Sequence, residues 1–203
     1  MKIALYLGLF NPFHNGHLEV IKTALNDFKM DRVIIIPTMQ NPWKKEKVLD
    51  INKREEIIRK SIFNSDLVSK YIPTLQDFSI KIDEKWIPLK PKGILISLIE
   101  KFLIPPYYSY ATLHALKNKY CNDEIFVLCG EDTIKDIPNW MNGGQIIKDY
   151  DFLVVDRPKN SISSSYIREI LKTSNKLDSY TNLKLRYLVS PNVINLIEKY
   201  YAM

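Results

Sequence analysis

The chain has 203 residues, 46% hydrophobic and 26% charged, and Lys+Arg 29 against Asp+Glu 23 gives a formal net charge of +6. This is ordinary globular usage, long enough to bury a core without staples, and it excludes a collagen-like, low-complexity or wholly disordered chain. The basic balance suits anionic partners, whether phosphates, nucleotides, nucleic acid or a membrane surface, and does not choose among them.

Lys2 to Leu7 reads as a short, nearly continuous apolar strand of the kind covered on both faces. A loop with Gly8, Asn11 and Pro12 follows, and Leu18 to Leu25 begins an amphipathic helix. Asp31 to Pro37 is a second buried strand, so the order is a βαβ unit with an expected right-handed crossover. Lys53 to Phe63 is periodic, with Ile57, Ile58 and Ile62 on its apolar side. Between Ile80 and Pro106 lies more material than a compact α/β connection usually carries. Its half from Ile94 to Ile104 suits a helix or a strand, and a lid, a dimer contact or a surface helix stay open. Tyr110 to Tyr120 is a helix with Leu113 and Leu116 inward. Glu124 to Cys129 is a buried strand ending at Gly130, and Asp151 to Asp156 is another, ending at Arg157-Pro158. Ser163 to Lys172 and Val193 to Tyr200 close the chain as helices. Alternating strands and helices predict an open α/β sheet in a single domain.

Cys121 and Cys129 make neither a disulfide framework nor a zinc set, and Cys129 reads as a small buried hydrophobe. A reduced, cytoplasmic compartment is the expectation. No stretch reaches the ~20 apolar residues that span a bilayer, so no membrane partner is expected.

Chemistry concentrates in the loop Gly8-Leu9-Phe10-Asn11-Pro12-Phe13-His14-Asn15-Gly16-His17, which follows the first strand and opens a helix. Ligands of open α/β sheets bind outside the carboxyl ends of the strands, and a helix N-terminus there offers N–H groups to phosphate. His14 and His17 flank Gly16, and their ring N–H groups could donate where charge develops during phosphoryl transfer. A metal pair or two surface histidines are the competing readings. No third clustered His or Cys ligand is evident, which favours phosphate and leaves no protein metal site. His114 reads as a structural or surface histidine.

His14-Asn15-Gly16-His17 resembles the HxGH signature of the nucleotidylyltransferase superfamily, and Gly8-Leu9-Phe10-Asn11-Pro12 resembles its GxFxP lead-in. Ile162-Ser163-Ser164-Ser165-Tyr166-Ile167-Arg168 is similar to the superfamily's ISSTxIR motif, with Ser165 where Thr is usual. Gly130-Glu131-Asp132 with Pro138-Asn139-Trp140 resembles the GxD…PxW segment of bacterial nicotinate mononucleotide adenylyltransferases, and Leu188 to Val193 resembles their C-terminal pattern. The family's Pro-Ser-Tyr-Thr is replaced by Pro106-Tyr107-Tyr108-Ser109, and the stretch from about Asp83 to Phe102 falls outside the resemblance as an apparent insertion.

The resemblance implies an open Rossmann-like parallel sheet with helices on both faces. It also implies an enzyme of NAD biosynthesis that joins the AMP of ATP to nicotinate mononucleotide and releases pyrophosphate. Nicotinamide mononucleotide is the alternative substrate, and another HxGH adenylyl- or cytidylyltransferase, such as one acting on phosphopantetheine, is a further one. A nucleic-acid-binding protein with a silent site would explain the basicity but not two intact phosphate motifs in the right order. By the resemblance, His14, His17 and Arg168 are catalytic. Gly8, Phe10, Asn11, Gly16, Gly130, Asp132, Ser163, Ser164, Ser165 and one of Lys44 and Lys45 meet ATP. Ser109 and Trp140 meet the mononucleotide, with Trp140 stacking on its pyridine ring. Mg²⁺ would enter bound to ATP, bridging phosphate oxygens rather than occupying a protein cage. A homo-oligomer stays open.

Overall fold

A computed structural model of the chain describes residues 1–39, 48–63, 93–156, 162–173 and 178–201 together with the backbone of 73–76. The strands are β1 Lys2–Gly8, β2 Arg32–Pro37, β3 Pro73–Gln76, β4 Gly93–Ser97, β5 Glu124–Gly130 and β6 Asp151–Val155. They form one six-stranded sheet in the order β3-β4-β2-β1-β5-β6. Every neighbouring pair is parallel. The described helices are α1 Asn15–Asn26, α2 Ile51–Phe63, α3 Ser109–Lys119, α4 Glu131–Asp136, α5 Gly143–Asp149, α6 Ser164–Thr173, α7 Ser179–Leu188 and α8 Ile194–Tyr201.

The expected open Rossmann-like α/β sheet is the fold observed. Its inner strands are apolar on both faces because both faces are covered. Ala4, Tyr6, Val33, Ile35, Ile94 and Ile96 point into one core, shared with α1, α2, α6, α7 and α8. Ile3, Leu5, Ile34, Ile36 and Leu95 point into the other, against α3, Ile137 and α5. From β1 the chain steps to β2, then out to β3 at the edge and back to β4 between β3 and β2, and β5 returns to the far side of β1. The order therefore reverses between β1 and β5, where the carboxyl ends of parallel strands leave a crevice for ligands. Gly8 ends β1 and Gly130 ends β5, so both glycines lie at that crevice.

Three sequence readings change. The helix expected from Leu18 starts at Asn15, because the His14 carbonyl accepts the backbone N–H groups of His17 and Leu18 at 2.9 and 3.3 Å. The stretch read as an insertion to Phe102 lies inside the fold from Gly93 onward: β4 pairs with β2 through Arg32↔Gly93 to Ile35↔Ile96 and with β3 on its other side. A strand flanked on both sides reads as an unbroken apolar run, which carries no period to separate it from a helix. A 3₁₀ turn, Ile99–Phe102, follows it. Residues 83–92 lie outside the described residues, as do Arg157 and Pro158. Finally, β3, α4, α5 and α7 are additional elements.

Candidate active site

The loop between β1 and α1 is built around two stacked imidazoles. The rings of His14 and His17 lie 3.7 Å apart at 25°, and both residues are buried. Phe13 stacks on His17 at 5.1 Å, and Phe10 meets it edge-on at 5.0 Å. The backbone N–H of His14 donates to His17 Nδ1 at 3.1 Å. An Nδ1 that accepts carries no hydrogen, so the ring proton sits on Nε2, where it can donate to a phosphate oxygen. Gly16 lies close to the His14 ring: a Cβ there would sit 3.1 Å from Cε1 and Nδ1. Gly8 is constrained likewise, since a Cβ there would come within 2.9 Å of the Phe10 ring. Phe10 adopts a left-handed backbone, φ 47°, an uncommon conformation for a bulky side chain.

The second block docks on this loop. Arg168 Nη1 donates to the Asn11 carbonyl at 2.6 Å, and Nη2 donates to Ser165 Oγ at 3.2 Å. Ser164 Oγ donates to the Pro12 carbonyl at 2.8 Å. Ser163 Oγ accepts the Tyr166 N–H at 3.1 Å, which is the capping role open to any serine at a helix start. The side chain of Asn11 accepts the Tyr201 hydroxyl at 2.6 Å and the Leu49 N–H at 3.3 Å. Burial raises the Tyr201 phenol well above its ordinary value. Asn11 therefore ties the first loop to α6, α8 and the lead into α2.

Four residues whose polar contacts brace the loops around this site escaped the sequence reading: Arg54, Glu100, Thr112 and Tyr201. Arg54 is 1% exposed, and burial lowers its pKa. Glu100 is equally buried, and burial raises its carboxyl. Its Oε2 accepts the Met39 N–H at 2.6 Å, and its Oε1 accepts the Thr112 hydroxyl at 2.8 Å. A signal for Arg54 was present, since it lies three and four residues before Ile57 and Ile58 on the buried stripe of α2. Tyr201 and Thr112 carried no such signal.

The remaining expected site residues follow the carboxyl ends of β4 and β5. Ser109 opens α3, with Tyr108 as its cap. Asp132 is exposed in the first turn of α4. Trp140 packs against the second core and donates its indole N–H to Asp136 Oδ2 at 2.9 Å. α3 and α4 send Leu113, Leu116 and Ile134 into that same core, on the face of the sheet opposite α1. Lys44 and Lys45 lie outside the described residues. His114 is exposed, within 3.2 Å of the Asn118 amide, as a surface histidine should be. Among the described residues there is no group of three or more His, Cys, Asp or Glu placed to hold a metal ion.

The Cytidylyltransferase-like family model matches residues 5–170, a span that begins within β1 and ends within α6 and so contains both docked blocks. The chain belongs to that family. It is 30% identical to a probable nicotinate-nucleotide adenylyltransferase of Cytophaga hutchinsonii, covering 100% of this chain and 99% of that one. It is 29% identical to one of Flavobacterium johnsoniae, covering 85% and 87%. Among solved structures, a putative nicotinate-nucleotide adenylyltransferase of Vibrio parahaemolyticus shares the fold with a TM-score of 0.70 at 18% identity, covering 100% and 96%. The Plasmodium falciparum nicotinic acid mononucleotide adenylyltransferase, complexed with NaAD, does so with a TM-score of 0.66 at 19% identity, covering 98% and 95%.

Proposed function

We propose that this protein joins the adenylyl group of ATP to nicotinate mononucleotide in NAD biosynthesis. A phosphate oxygen of the mononucleotide attacks the α-phosphorus of ATP. The bond from that phosphorus to the bridging oxygen breaks, and pyrophosphate leaves with the electron pair. No enzyme nucleophile is required, so catalysis rests on positioning and on stabilising charge. The observation that carries the reading is the union of the two phosphate-type motifs, more than 150 residues apart in sequence, by Arg168 on Asn11 and Ser164 on Pro12. Close relatives named for this activity over essentially their whole length support the choice of substrate.

In this reading His17 donates its Nε2–H, and His14 its own ring N–H, to the phosphate undergoing transfer. Arg168, oriented by Asn11 and Ser165, answers the charge of the leaving pyrophosphate. The first turn of α6 and one of Lys44 and Lys45 add to that cradle. Asp132 and Gly130 lie where β5 ends, suited to the adenosine, and Ser109 and Trp140 receive the mononucleotide. The donors that converge on the loop are imidazole, guanidinium, hydroxyl and backbone N–H groups, which suit phosphate oxygens. Mg²⁺ would accordingly be carried by ATP itself, keeping much of its water and screening phosphate charge.

The test is pyrophosphate release from ATP and Mg²⁺ with nicotinate or nicotinamide mononucleotide supplied in turn. Faster turnover of the nicotinate form is expected. Preference for the amide would move the substrate assignment, and failure of both would remove the activity.

A further inference from the structure

Arg54 spreads one side chain over four backbone carbonyls from three separate stretches of chain. Nε donates to Leu49 at 2.7 Å, Nη1 to Leu9 at 2.6 Å and to Thr38 at 2.8 Å, and Nη2 to Met39 at 3.4 Å. Leu9 is in the loop after β1, Thr38 and Met39 follow β2, and Leu49 leads into α2. Met39 is gripped from the other side as well, its N–H bound to the buried Glu100 carboxylate. Filling this space would need only an apolar side chain of similar volume, and charged groups removed from water seldom stabilise a core. A guanidinium does something such a side chain cannot, because its planar fork of donors fixes the direction of several carbonyls at once.

One of those carbonyls bears on the reacting groups. The Leu9 C=O and the Phe10 N–H share a peptide plane, so holding the carbonyl sets the plane from which Phe10 turns left-handed. The Phe10 ring then meets His17 edge-on at 5.0 Å, beside the stacked Phe13, whose ring it also meets at 5.6 Å. A path of direct contacts thus runs from Arg54 through the Leu9–Phe10 peptide to the His17 ring.

We propose that Arg54 is a positioning residue for adenylyl transfer, which holds the His17 imidazole in its working orientation through the Leu9–Phe10 peptide and touches no substrate itself. Its 1% exposure keeps it out of reach of a nucleotide. The proposal rests on the adenylyl-transfer reading above.

The experiment compares wild type, Arg54→Lys and Arg54→Met by circular dichroism and by steady-state pyrophosphate release from ATP and nicotinate mononucleotide. ¹⁵N NMR of the His17 imidazole reads its tautomer in each folded protein. Lysine keeps the charge but offers a single nitrogen, which cannot span Leu9, Thr38 and Leu49 together. A folded Arg54→Lys should lose about 100-fold in kcat, the scale on which small misplacements of reacting groups act. KM for either substrate should change little, and the His17 signal should lose its pure Nε2–H character. A folded variant of either kind with wild-type kcat and an unchanged His17 signal overturns the proposal. Should neither variant fold, Phe10→Gly tests the same path, since glycine accepts the left-handed backbone and only the ring is lost. It should show the same kcat-selective loss, and wild-type kcat there overturns the proposal. A wild type that turns over while these variants are normal removes only the positioning role, whereas an inactive wild type removes both readings.

Discussion

At the residue scale, the His14–His17 pair separates two jobs that one imidazole performs. His17 Nδ1 accepts the His14 N–H and helps hold the turn into α1, which leaves Nε2 for the phosphate contact proposed above. His17→Asn places an amide oxygen near the Nδ1 position and deletes the Nε2–H. The variant should fold with a near-wild-type melting temperature and lose about 10²–10³ in kcat, the range for removing one donor to a charged transition state. Normal turnover would take the phosphate role away from His17. Gly16→Ala probes the partner ring: a methyl 3.1 Å from His14 must displace it. Turnover should fall more than stability does, and the reverse order would make Gly16 a folding residue. Glu100 gives a pH signature. Burial raises its carboxyl above the ordinary value of 4.5, so the contribution is present below that value and is lost as pH rises through the raised one. The stability of wild type relative to Glu100→Gln should therefore decline as pH climbs from about 4.5, followed by urea denaturation at each pH. A difference independent of pH would show that the Glu100 carboxyl holds its proton equally well in the folded and unfolded states.

At the element scale, legibility followed burial on two faces. β1, β2 and β5 were evident because six or seven residues in each run are nearly all apolar, and the loop after β1 follows directly from that frame. β3 has only four residues, too few for a pattern. α4 buries none of its residues, so it has no apolar stripe to read. α7 buries only Thr181 and Leu185, and its start depends on the Asp178 side chain accepting the Thr181 N–H at 2.7 Å. The phosphate motifs were readable by resemblance because they are contiguous in sequence. The Arg54 carbonyl cluster and the Tyr201–Asn11 bond were not, because their partners lie up to 190 residues apart and exist only after the sheet forms. A position of this second kind is Gly143 at the start of α5. A Cβ there would lie 2.0 Å from the Ile137 carbonyl oxygen, and backbone on both sides cannot step aside as a side chain could. Gly143→Ala should lose roughly 3 kcal/mol, the upper range for overpacking, measured by urea denaturation. Gly144→Ala, with nothing within 4 Å of the new carbon, is the matched control and should be tolerated.

At the scale of the whole molecule, the site is a joint between two half-sheets. The β1 side brings the histidine loop, with α6 docked on it through Arg168 and Ser164. The β5 side brings Gly130 and the first turn of α4. The two sides meet at the order reversal beside β1, and each core, one on each face of the sheet, runs under both sides: Ala4 and Leu128 share one, Ile3 and Val127 the other. A nucleotide bound across the joint touches the folded arrangement of both sides and none of the unfolded chain, so it must stabilise the whole transition by mass action. At a free concentration of about 100 times Kd the gain is about 2.7 kcal/mol. For a chain of this size that is a rise of roughly 5–10 °C in melting temperature. ATP with Mg²⁺ should therefore raise the single melting transition by that amount, and Arg168→Ala should reduce the shift at equal ATP. The charge of +6 would produce some shift with any polyanion, so tripolyphosphate is the control. If tripolyphosphate matches ATP, the phosphates alone are being recognised and the β5 side holds no adenosine. If ATP exceeds it, and the excess vanishes when a bulky side chain replaces Gly130, both half-sheets are reading one ligand.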